Sequence, residues 1–438
     1  MKREKSFLSI LMFLVFSSSL ALANGLNLNS LGSRALAMGG AFVGLADDFS
    51  AVYWNPAGIA QFDRQYFGFY GTDIIPSGTY RMDILVPDIG SVTLVNAETE
   101  TTHYLAGLAG YYYPINENMV TGLGIYVPSG LGNRWNGEDF APISNNDPSL
   151  EWKSRIGLVT ISPAVAYKIN EQFMVGAALN INYGRFNVAM HAGSAAIPEP
   201  PYQLDLGQYE ESMDGWGFGA AVGLLVKPSE MVSVGATFRT ANTVKFSGDA
   251  SISNLSLLGV SATSEVEREI TWPMWIAGGV AVKPREDLTI TGDIQWTQWS
   301  KIDVIESDFT DPFWQQMMAQ SGDDEMQMHW EDAWQIRFGA EYRIENMAFR
   351  GGFYMDPSPA PDRTMNVLIP SYDYNVITLG FGYNLDGLQI DVGFEYLMGK
   401  EREVPYEKWV LNPEWQSAMP GIYDMNIVVP NVSVSYSF

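Results

Sequence analysis

The residue types that most often perform catalysis are scarce in this chain of 438 residues. There is no cysteine, and the three histidines are His103, His191 and His329. Without cysteine the chain has neither a thiolate nucleophile nor a thiolate metal ligand. No histidine lies in a recognisable nucleophile motif, although a hydrolytic serine needs a histidine beside it. We therefore expect no catalytic residue, no metal site and no cofactor, and we predict that the protein is not an enzyme.

Three arginines are candidates for contact with a carboxylate ligand. Arg239, Arg337 and Arg350 all fall on the polar face of predicted strands, and a guanidinium group binds carboxylates well. The acids predicted on the same face are Asp293, Glu341, Asp391 and Glu395. Because buried charges need partners whatever the function, we favour pairing with these acids, with ligand binding as the alternative.

A second candidate group is apolar and lies in the predicted loop 309–328. Asp311-Pro312 is typical of a helix start, with an N-cap residue followed by proline. The residues that then recur at helical spacing are Phe313, Trp314, Met317 and Met318. Aromatic and methionine side chains on a loop helix indicate either a grip on a hydrophobic ligand or packing against neighbouring loops. The sequence does not distinguish the two.

The elements that must position these residues are β-strands. From Leu388 to Tyr396 apolar residues alternate with Gln389, Asp391, Gly393 and Glu395, so one face is apolar and the other polar. The same period of two recurs along the chain. One such strand fits a soluble sandwich equally well. Repetition along the chain, with glycine and polar residues on the second face, favours a transmembrane barrel.

Short polar turns recur at six places, at 114–117, 168–171, 227–230, 283–287, 343–346 and 384–387. Alternating short turns and long loops are typical of outer-membrane barrels. Six turns and seven loops predict an all-β fold, a 14-stranded antiparallel transmembrane β-barrel. The last strand ends at Phe438, and we expect it to pair with strand one and to be read by the outer-membrane assembly machinery.

The first 23 residues are typical of a cleaved secretory signal. A basic start precedes the apolar run from Phe7 to Phe16, and Ala21-Leu22-Ala23 fits a cleavage site. No later run of 18 apolar residues occurs, so we expect no transmembrane helix. The net charge of −25 disfavours nucleic-acid binding. We predict an outer-membrane location, with lipid and lipopolysaccharide as surroundings.

Residues 24–63 do not follow the strand pattern and are rich in small residues. They are predicted to form either a disordered tail or a plug inside the lumen. The predicted domains are therefore a signal peptide (1–23), an N-terminal hatch (24–63) and the barrel (64–438).

Several blocks resemble the outer-membrane transporters of long-chain fatty acids and hydrocarbons of the FadL/TodX type. They are Gly25 to Asn29, Gly32 to Ala35, Ala46-Asp47-Asp48, Asn55-Pro56-Ala57, Trp296 to Ser300, Trp330 to Trp334 and Asp356 to Pro359. The resemblance implies a 14-stranded barrel plugged by an N-terminal hatch. It also implies that Asn55, Pro56 and Ala57 lie against a kinked third strand with a lateral opening. Our third strand runs from Met119 to Val127, with Gly122 and Gly124 facing inward.

The resulting hypothesis is passive uptake of a hydrophobic small molecule by a monomer, gated by the ligand, with sideways exit into the bilayer. The family's arginine after the fifth strand has no counterpart in Asn187 to His191, so fatty acid and neutral hydrocarbon both remain open. The alternatives are a non-specific aqueous porin and a loop-displaying adhesin or structural barrel.

Overall fold

The computed structural model describes residues 25–29, 31–198 and 200–438, so the predicted signal peptide lies outside the described residues. Fourteen antiparallel strands form a closed barrel, which confirms the predicted fold class. Strands 1 to 6 are Tyr66–Val86, Gly90–Glu98 with Tyr104–Asn116, Met119–Trp135, Trp152–Lys168, Phe173–His191 and Gln208–Ser229. Strands 7 to 10 are Val232–Arg239 with Asn242–Ile252, Thr263–Trp272 with Trp275–Arg285, Leu288–Thr297 with Val304–Phe309, and Glu325–Gln327 with Ala333–Ile344. Strands 11 to 14 are Met347–Asp356, Tyr374–Leu385, Leu388–Gly399 and Gly421–Ser437.

The alternating pattern becomes the two faces of the barrel wall. On strand 13, Ile390, Val392 and Phe394 are exposed, whereas Asp391 and Glu395 are buried. The exposed apolar face is the one that a lipid bilayer requires, and the polar side chains point into the lumen.

The barrel closes between its first and last strands, as predicted. Strand 14 pairs with strand 1 from Ser437 opposite Tyr66 to Ile422 opposite Arg81. The Phe438 amide extends this ladder by donating to the Gln65 carbonyl at 2.9 Å. All backbone groups of a wall in lipid must be paired, and closure satisfies this for strand 1.

Five strands are interrupted, a feature that the sequence pattern did not predict. Strand 7 breaks after Arg239 and strand 8 breaks after Trp272, at the same level of the wall. Arg239 lies opposite Trp275 and Asn242 lies opposite Trp272. The two breaks thus bring four side chains capable of ligand contact to one place in the lumen.

The largest buried core lies inside the barrel and is formed by the N-terminal segment, which we define as residues 25–63. It contains the helices Ser33–Ala37 and Ala51–Trp54 and the 3-10 helix Pro56–Gln61. Phe42, Phe49 and Trp54 of this segment are all at most 2% exposed. A second apolar cluster lies beneath the loops and includes Leu26.

The loops carry the remaining elements. The helices are Gly137–Phe140, Pro312–Ser321 and Tyr406–Leu411, the 3-10 helices are Ala141–Ile143, Leu255–Leu258, Trp299–Lys301, Asp362–Thr364 and Pro413–Trp415, and the short strands are Ser194–Ala196, Gln203–Asp205 and Arg402–Val404. Within the described ranges, no helix combines the length and hydropathy needed to cross a membrane.

Candidate functional site

One part of the N-terminal segment is bound to the wall by buried ion pairs. Arg34 contacts Asp47 at 2.5 Å and Glu341 of strand 10 at 2.8 Å. Arg350 of strand 11 contacts Glu341 and Asp391, both at 2.6 Å. Arg350 therefore pairs with two of the predicted inward acids, Glu341 and Asp391, as we favoured from the sequence. Removing one member of such a buried network costs about 3–5 kcal/mol, so this part of the segment is firmly held.

Asn55, Pro56 and Ala57 lie against glycines of strands 5 and 6, and the 3-10 helix Pro56–Gln61 also contacts strand 3. Their location against a kinked third strand stays a prediction. A Cβ atom on Gly223 would lie 2.0 Å from the Asn55 Oδ1 atom, and one on Gly176 would lie 2.3 Å from the Pro56 carbonyl. Backbone this close to a strand requires glycine there. The glycines that accept these residues lie far from them in the sequence, which is why their spacing did not reveal the contact.

Asn55 connects the segment to the wall through its side chain. Its Nδ2 donates to the carbonyl of Val43 at 2.9 Å and to that of Leu224 in strand 6 at 3.0 Å. Its Oδ1 accepts from the Ala57 amide at 3.1 Å. One buried amide thus satisfies three backbone groups, which neither alanine nor aspartate can do.

Gly122 and Gly124 do face inward on strand 3. A Cβ on Gly124 would lie 2.7 Å from Val52 of the N-terminal segment, and one on Gly122 would contact the Tyr112 ring. The irregularity of strand 3 lies higher, because its register with strand 4 shifts between Tyr126 and Ser129. Proline at position 128 is the sequence signal for this site, since proline is confined to strand edges and bulges.

At Pro128 to Gly130, above that irregularity, strand 3 pairs with the N-terminal segment instead of strand 2. Its ladder with strand 2 ends at Tyr126, and pairing with the chain of strand 2 resumes only where Thr99 lies opposite Trp135. The Leu28 amide then donates to the Pro128 carbonyl at 3.0 Å, and the Gly130 amide donates to the Leu26 carbonyl at 3.1 Å. The Ser129 hydroxyl also donates to the Leu26 carbonyl, at 2.6 Å. A three-residue piece of chain therefore covers a strand edge that strand 2 leaves unpaired.

Asn29 holds this piece in place from the other side. Its Nδ2 donates to Asp356 at 2.5 Å, and Gln335 donates to its Oδ1 at 2.8 Å. Arg337 donates to the Asn29 carbonyl at 3.0 Å and to the Gly39 carbonyl at 3.3 Å. Arg337 is thus covered by the N-terminal segment. Its partners are mostly amide and carbonyl oxygens, so the predicted pairing with an inward acid does not describe it.

A small cavity of about 40 Å³ lies where strands 7 and 8 are interrupted. Its lining includes Arg239, Asn242 and Trp275 from those strands, together with Asn27 and Ser129. Drug-sized ligands occupy pockets of about 300–1,000 Å³. A ligand of this size exceeds the volume of the cavity.

Arg239 projects into this cavity among aromatic rings. Its guanidinium carbon lies 4.9 Å from the ring centre of Tyr53 and 5.4 Å from that of Trp275. It donates to the Tyr126 hydroxyl and to the Tyr53 carbonyl, each at 3.1 Å. The Arg239 Nε and both side-chain polar atoms of Asn242 are buried and have no hydrogen-bond partner among the described residues. Arg239 and Asn242 can therefore still bind a carboxylate or another polar group.

The loop helix Pro312–Ser321 divides its apolar residues between packing and exposure. Asp311 caps it by accepting from the Phe313 and Trp314 amides at 2.9 and 3.1 Å. Trp314 is fully buried and Met318 is 5% exposed, both within the cluster beneath the loops, whereas Phe313 is 39% exposed. Met317 is partly buried at the edge of that cluster. Trp314 and Met318 are thus packing residues, and Phe313 and Met317 remain available to a ligand.

Sequence reasoning missed Leu26, Asn29, Asn242 and Trp275. The alternation in Leu26-Asn27-Leu28-Asn29 resembles a short strand and was the available signal. Within the part of the chain that the structure describes, no three acidic or histidine side chains are grouped so as to hold a metal ion.

Known proteins resemble this chain along most of its length. The chain is 26% identical to the long-chain fatty acid transport protein of Escherichia coli K12, over 92% of this chain and 94% of that protein. It is 22% identical to outer membrane protein P1 of Haemophilus influenzae, over 83% and 84% respectively.

Two crystal structures have the same fold. A FadL homologue of Pseudomonas aeruginosa matches with a TM-score of 0.76 at 17% identity, over 95% of this chain and all of that one. The toluene transporter TodX of Pseudomonas putida matches with a TM-score of 0.70 at 16% identity, over the same shares. The model of the outer membrane protein transport protein family (OMPP1/FadL/TodX) matches residues 14–438. This chain is therefore an outer-membrane barrel that belongs to the OMPP1/FadL/TodX family of transport proteins.

Proposed function

We propose that this barrel takes up hydrophobic molecules, fatty acids or related hydrocarbons, by passive diffusion gated by the ligand. Relatives named for fatty acid and toluene transport support this substrate class. The observation that carries the mechanism is the contact of Leu26–Leu28 with strand 3, beside a cavity too small for a ligand. In this proposal a ligand can bind in the cavity only as Leu26–Leu28 is displaced.

The proposed domain organisation follows from this mechanism. Residues 1–23 are a cleaved signal peptide, residues 24–63 a hatch and residues 64–438 the barrel. The hatch has two parts. Arg34 and Asn55 fix residues 33–61 to the wall, whereas residues 25–29 are held by hydrogen bonds that a ligand can replace. Gly122, Gly124 and Asn55-Pro56-Ala57 belong to the fixed seat, and Leu26–Leu28 is the part that moves.

Capture begins at the loops in this proposal. Phe313 and Met317 present apolar surface outside the barrel, and the apolar cluster beneath the loops leads inward. Leu26 lies in that cluster at 3% exposure, where it fills space that an acyl chain or aromatic ring would take. The ligand competes with Leu26 for the same apolar surroundings.

Arg239 is proposed to bind the polar end of a fatty acid, with Asn242 as a second contact. Both groups line the cavity and have unused hydrogen-bonding atoms. The aromatic rings of Tyr53 and Trp275 favour the guanidinium cation and also suit a toluene-sized ring. Arg337 and Arg350 hold the hatch and the wall instead.

Exit is proposed to pass through the wall at strand 3. Once Leu26–Leu28 leaves, the Pro128 carbonyl and the Gly130 amide have lost their partners, and strand 2 supplies none at that level. The resulting gap faces the bilayer, so a hydrophobic ligand leaves sideways without crossing water. An aqueous porin needs an open lumen, and the buried core of residues 31–60 argues against one.

Two measurements on the same protein test the function. Proteoliposomes should show saturable uptake of labelled oleate or toluene, and planar bilayers should show little steady ion conductance. Large steady conductance without saturable uptake supports the porin alternative. An intact barrel that shows neither conductance nor uptake of either probe supports the adhesin alternative.

A further inference from the structure

Strands 2 and 3 are separated by a gap in the barrel wall. Their ladder ends at Tyr126 of strand 3, and within the described residues they pair again only where Thr99 lies opposite Trp135. We define the wall gap by the two edges between these points, residues 104–107 of strand 2 and residues 127–133 of strand 3. Neighbouring strands of a barrel are normally joined by backbone hydrogen bonds, so these two edges can separate without breaking a ladder.

The lower part of the wall gap is open on its outer side. Ser129 points into the lumen, where its hydroxyl donates to the Leu26 carbonyl, so its neighbour Gly130 faces outward. Among the described residues beyond its chain neighbours, a Cβ atom on Gly130 would meet nothing closer than the Ile156 carbonyl oxygen, at 4.0 Å. A ligand that displaces Leu26–Leu28 from the lumen side therefore finds space beside Gly130.

The upper part of the wall gap is occupied by the side chain of Tyr104. A Cβ atom on Gly132 would lie 2.6, 2.8 and 3.0 Å from the Cε1, Cζ and hydroxyl oxygen atoms of Tyr104. The phenol ring of strand 2 therefore lies against the backbone of strand 3, at a level where the two strands share no ladder. An aromatic side chain placed across a glycine of the neighbouring strand stabilises such a pair. Tyr104 thus connects the two edges by side-chain contact.

Tyr104 also separates the wall gap from a cleft of about 490 Å³ in the outer surface of the barrel. The lining of this cleft includes Tyr104, Thr102, Asn133 and Arg134, and charged side chains of both signs line the rest of it. On the other side of Tyr104, the next residue of strand 2 is Leu105, which is 76% exposed. Tyr104 therefore lies between an apolar and a polar region, an arrangement that suits a side chain with an apolar ring and a polar hydroxyl.

We propose that Tyr104 limits the size of the ligand that can leave through the wall gap. This inference rests on the proposed sideways exit. An acyl chain or a single aromatic ring passes beside Gly130, between the ladder at Tyr126 and the Tyr104 ring. A group of several fused rings needs the space that the Tyr104 ring occupies. Without that ring the wall gap continues into the 490 Å³ cleft, and pockets of about 300–1,000 Å³ hold drug-sized ligands.

The test measures uptake of pyrenedodecanoic acid, a fatty acid that ends in fused aromatic rings, and of oleate by proteoliposomes containing Y104A. We expect the ratio of the maximal rates, pyrenedodecanoate over oleate, to rise about tenfold, which corresponds to lowering the barrier for the fused rings by about 1.4 kcal/mol. The KM for oleate should change little, because Tyr104 lies outside the ligand cavity. G132A should raise the same ratio, because its methyl group displaces the far end of the Tyr104 side chain. The double variant Y104A/G132A should then match Y104A.

Y113A is the matched control, because Tyr113 is an exposed tyrosine of strand 2 that lies within the ladder, opposite Thr121 of strand 3. It should leave the ratio unchanged, and a ratio that rises equally in Y113A would overturn the assignment to Tyr104. An unchanged ratio in Y104A and G132A barrels that still take up oleate would overturn this inference and leave the proposed function intact. Wild-type barrels that take up neither ligand would contradict the proposed function, and this inference with it.

Discussion

A disulfide that joins the N-terminal segment to strand 3 should close the transporter. Asn27 lies opposite Ser129 in an antiparallel bridge, flanked by the hydrogen bonds Leu28–Pro128 and Gly130–Leu26. This is a non-hydrogen-bonded pair, with Cα atoms about 4.5 Å apart, which is within the range for a disulfide. Because the chain has no cysteine, N27C/S129C introduces the only two thiols.

The magnitude follows from the contacts that opening must break. Release of Leu26–Leu28 loses four hydrogen bonds: three to strand 3, at 3.0, 3.1 and 2.6 Å, and one from the Tyr53 hydroxyl to the Leu28 carbonyl, at 3.3 Å. Each contributes about 1 kcal/mol, and exposure of Leu26 costs about 1.5–3 kcal/mol more. The sum is about 6 kcal/mol, so roughly one molecule in tens of thousands is open without ligand. An acyl chain that buries about eight methylenes offsets this cost, at about 0.8 kcal/mol each.

The assay is oleate and toluene uptake by proteoliposomes containing N27C/S129C, before and after reduction with dithiothreitol. We expect uptake to fall in proportion to the cross-linked fraction and to recover on reduction. N27C and S129C alone serve as controls for the lost side chains. Full uptake by completely cross-linked protein would refute the reasoning, because the ligand would then leave by a route that Leu26–Leu28 does not cover.

Three further outcomes are expected. R239Q should raise the KM for oleate about 10- to 100-fold, since a hydrogen bond to a charged group contributes about 1.5–3 kcal/mol, and should leave toluene uptake nearly unchanged; an equal effect on both ligands in the uptake assay would contradict carboxylate binding. N55A leaves the carbonyls of Val43 and Leu224 without a donor. It should therefore destabilise the hatch by about 2–4 kcal/mol and raise the ion conductance measured in planar bilayers. Unchanged conductance would count against a role of Asn55 in holding the hatch to the wall. Burial raises the pKa of Asp48 from 3.8 to about 6, which disfavours the carboxylate form in the folded state. The free energy of unfolding should therefore fall as pH rises from about 4 to 6. Urea titrations should show that D48N removes this part of the pH dependence, and identical pH profiles of the two proteins would be evidence against it.

The sequence predicted the barrel well because each strand carries its own evidence. The alternation at Ile390, Asp391 and Val392, and turns such as 384–387, are local signals of side-chain direction and chain reversal. Closure by strand 14 follows from them once 14 strands are counted. Fold class therefore needed no knowledge of long-range contacts.

The candidate site was harder to predict because its contacts join distant parts of the chain. Asn55 meets Leu224, and Arg337 meets Asn29, across separations that no periodic pattern records. The contacts of Asn55-Pro56-Ala57 with glycines of strands 5 and 6 were not predicted for the same reason. The sequence placed Phe313 and Trp314 on the same loop helix but did not show that Trp314 is buried whereas Phe313 is exposed.

The most direct test of the central claim is a crystal structure of the protein with oleate or toluene bound. The proposed mechanism predicts ligand density beside Arg239 and Trp275, with Leu26–Leu28 displaced from Pro128 and Gly130. Ligand density elsewhere, with Leu26–Leu28 still paired to strand 3, would contradict it.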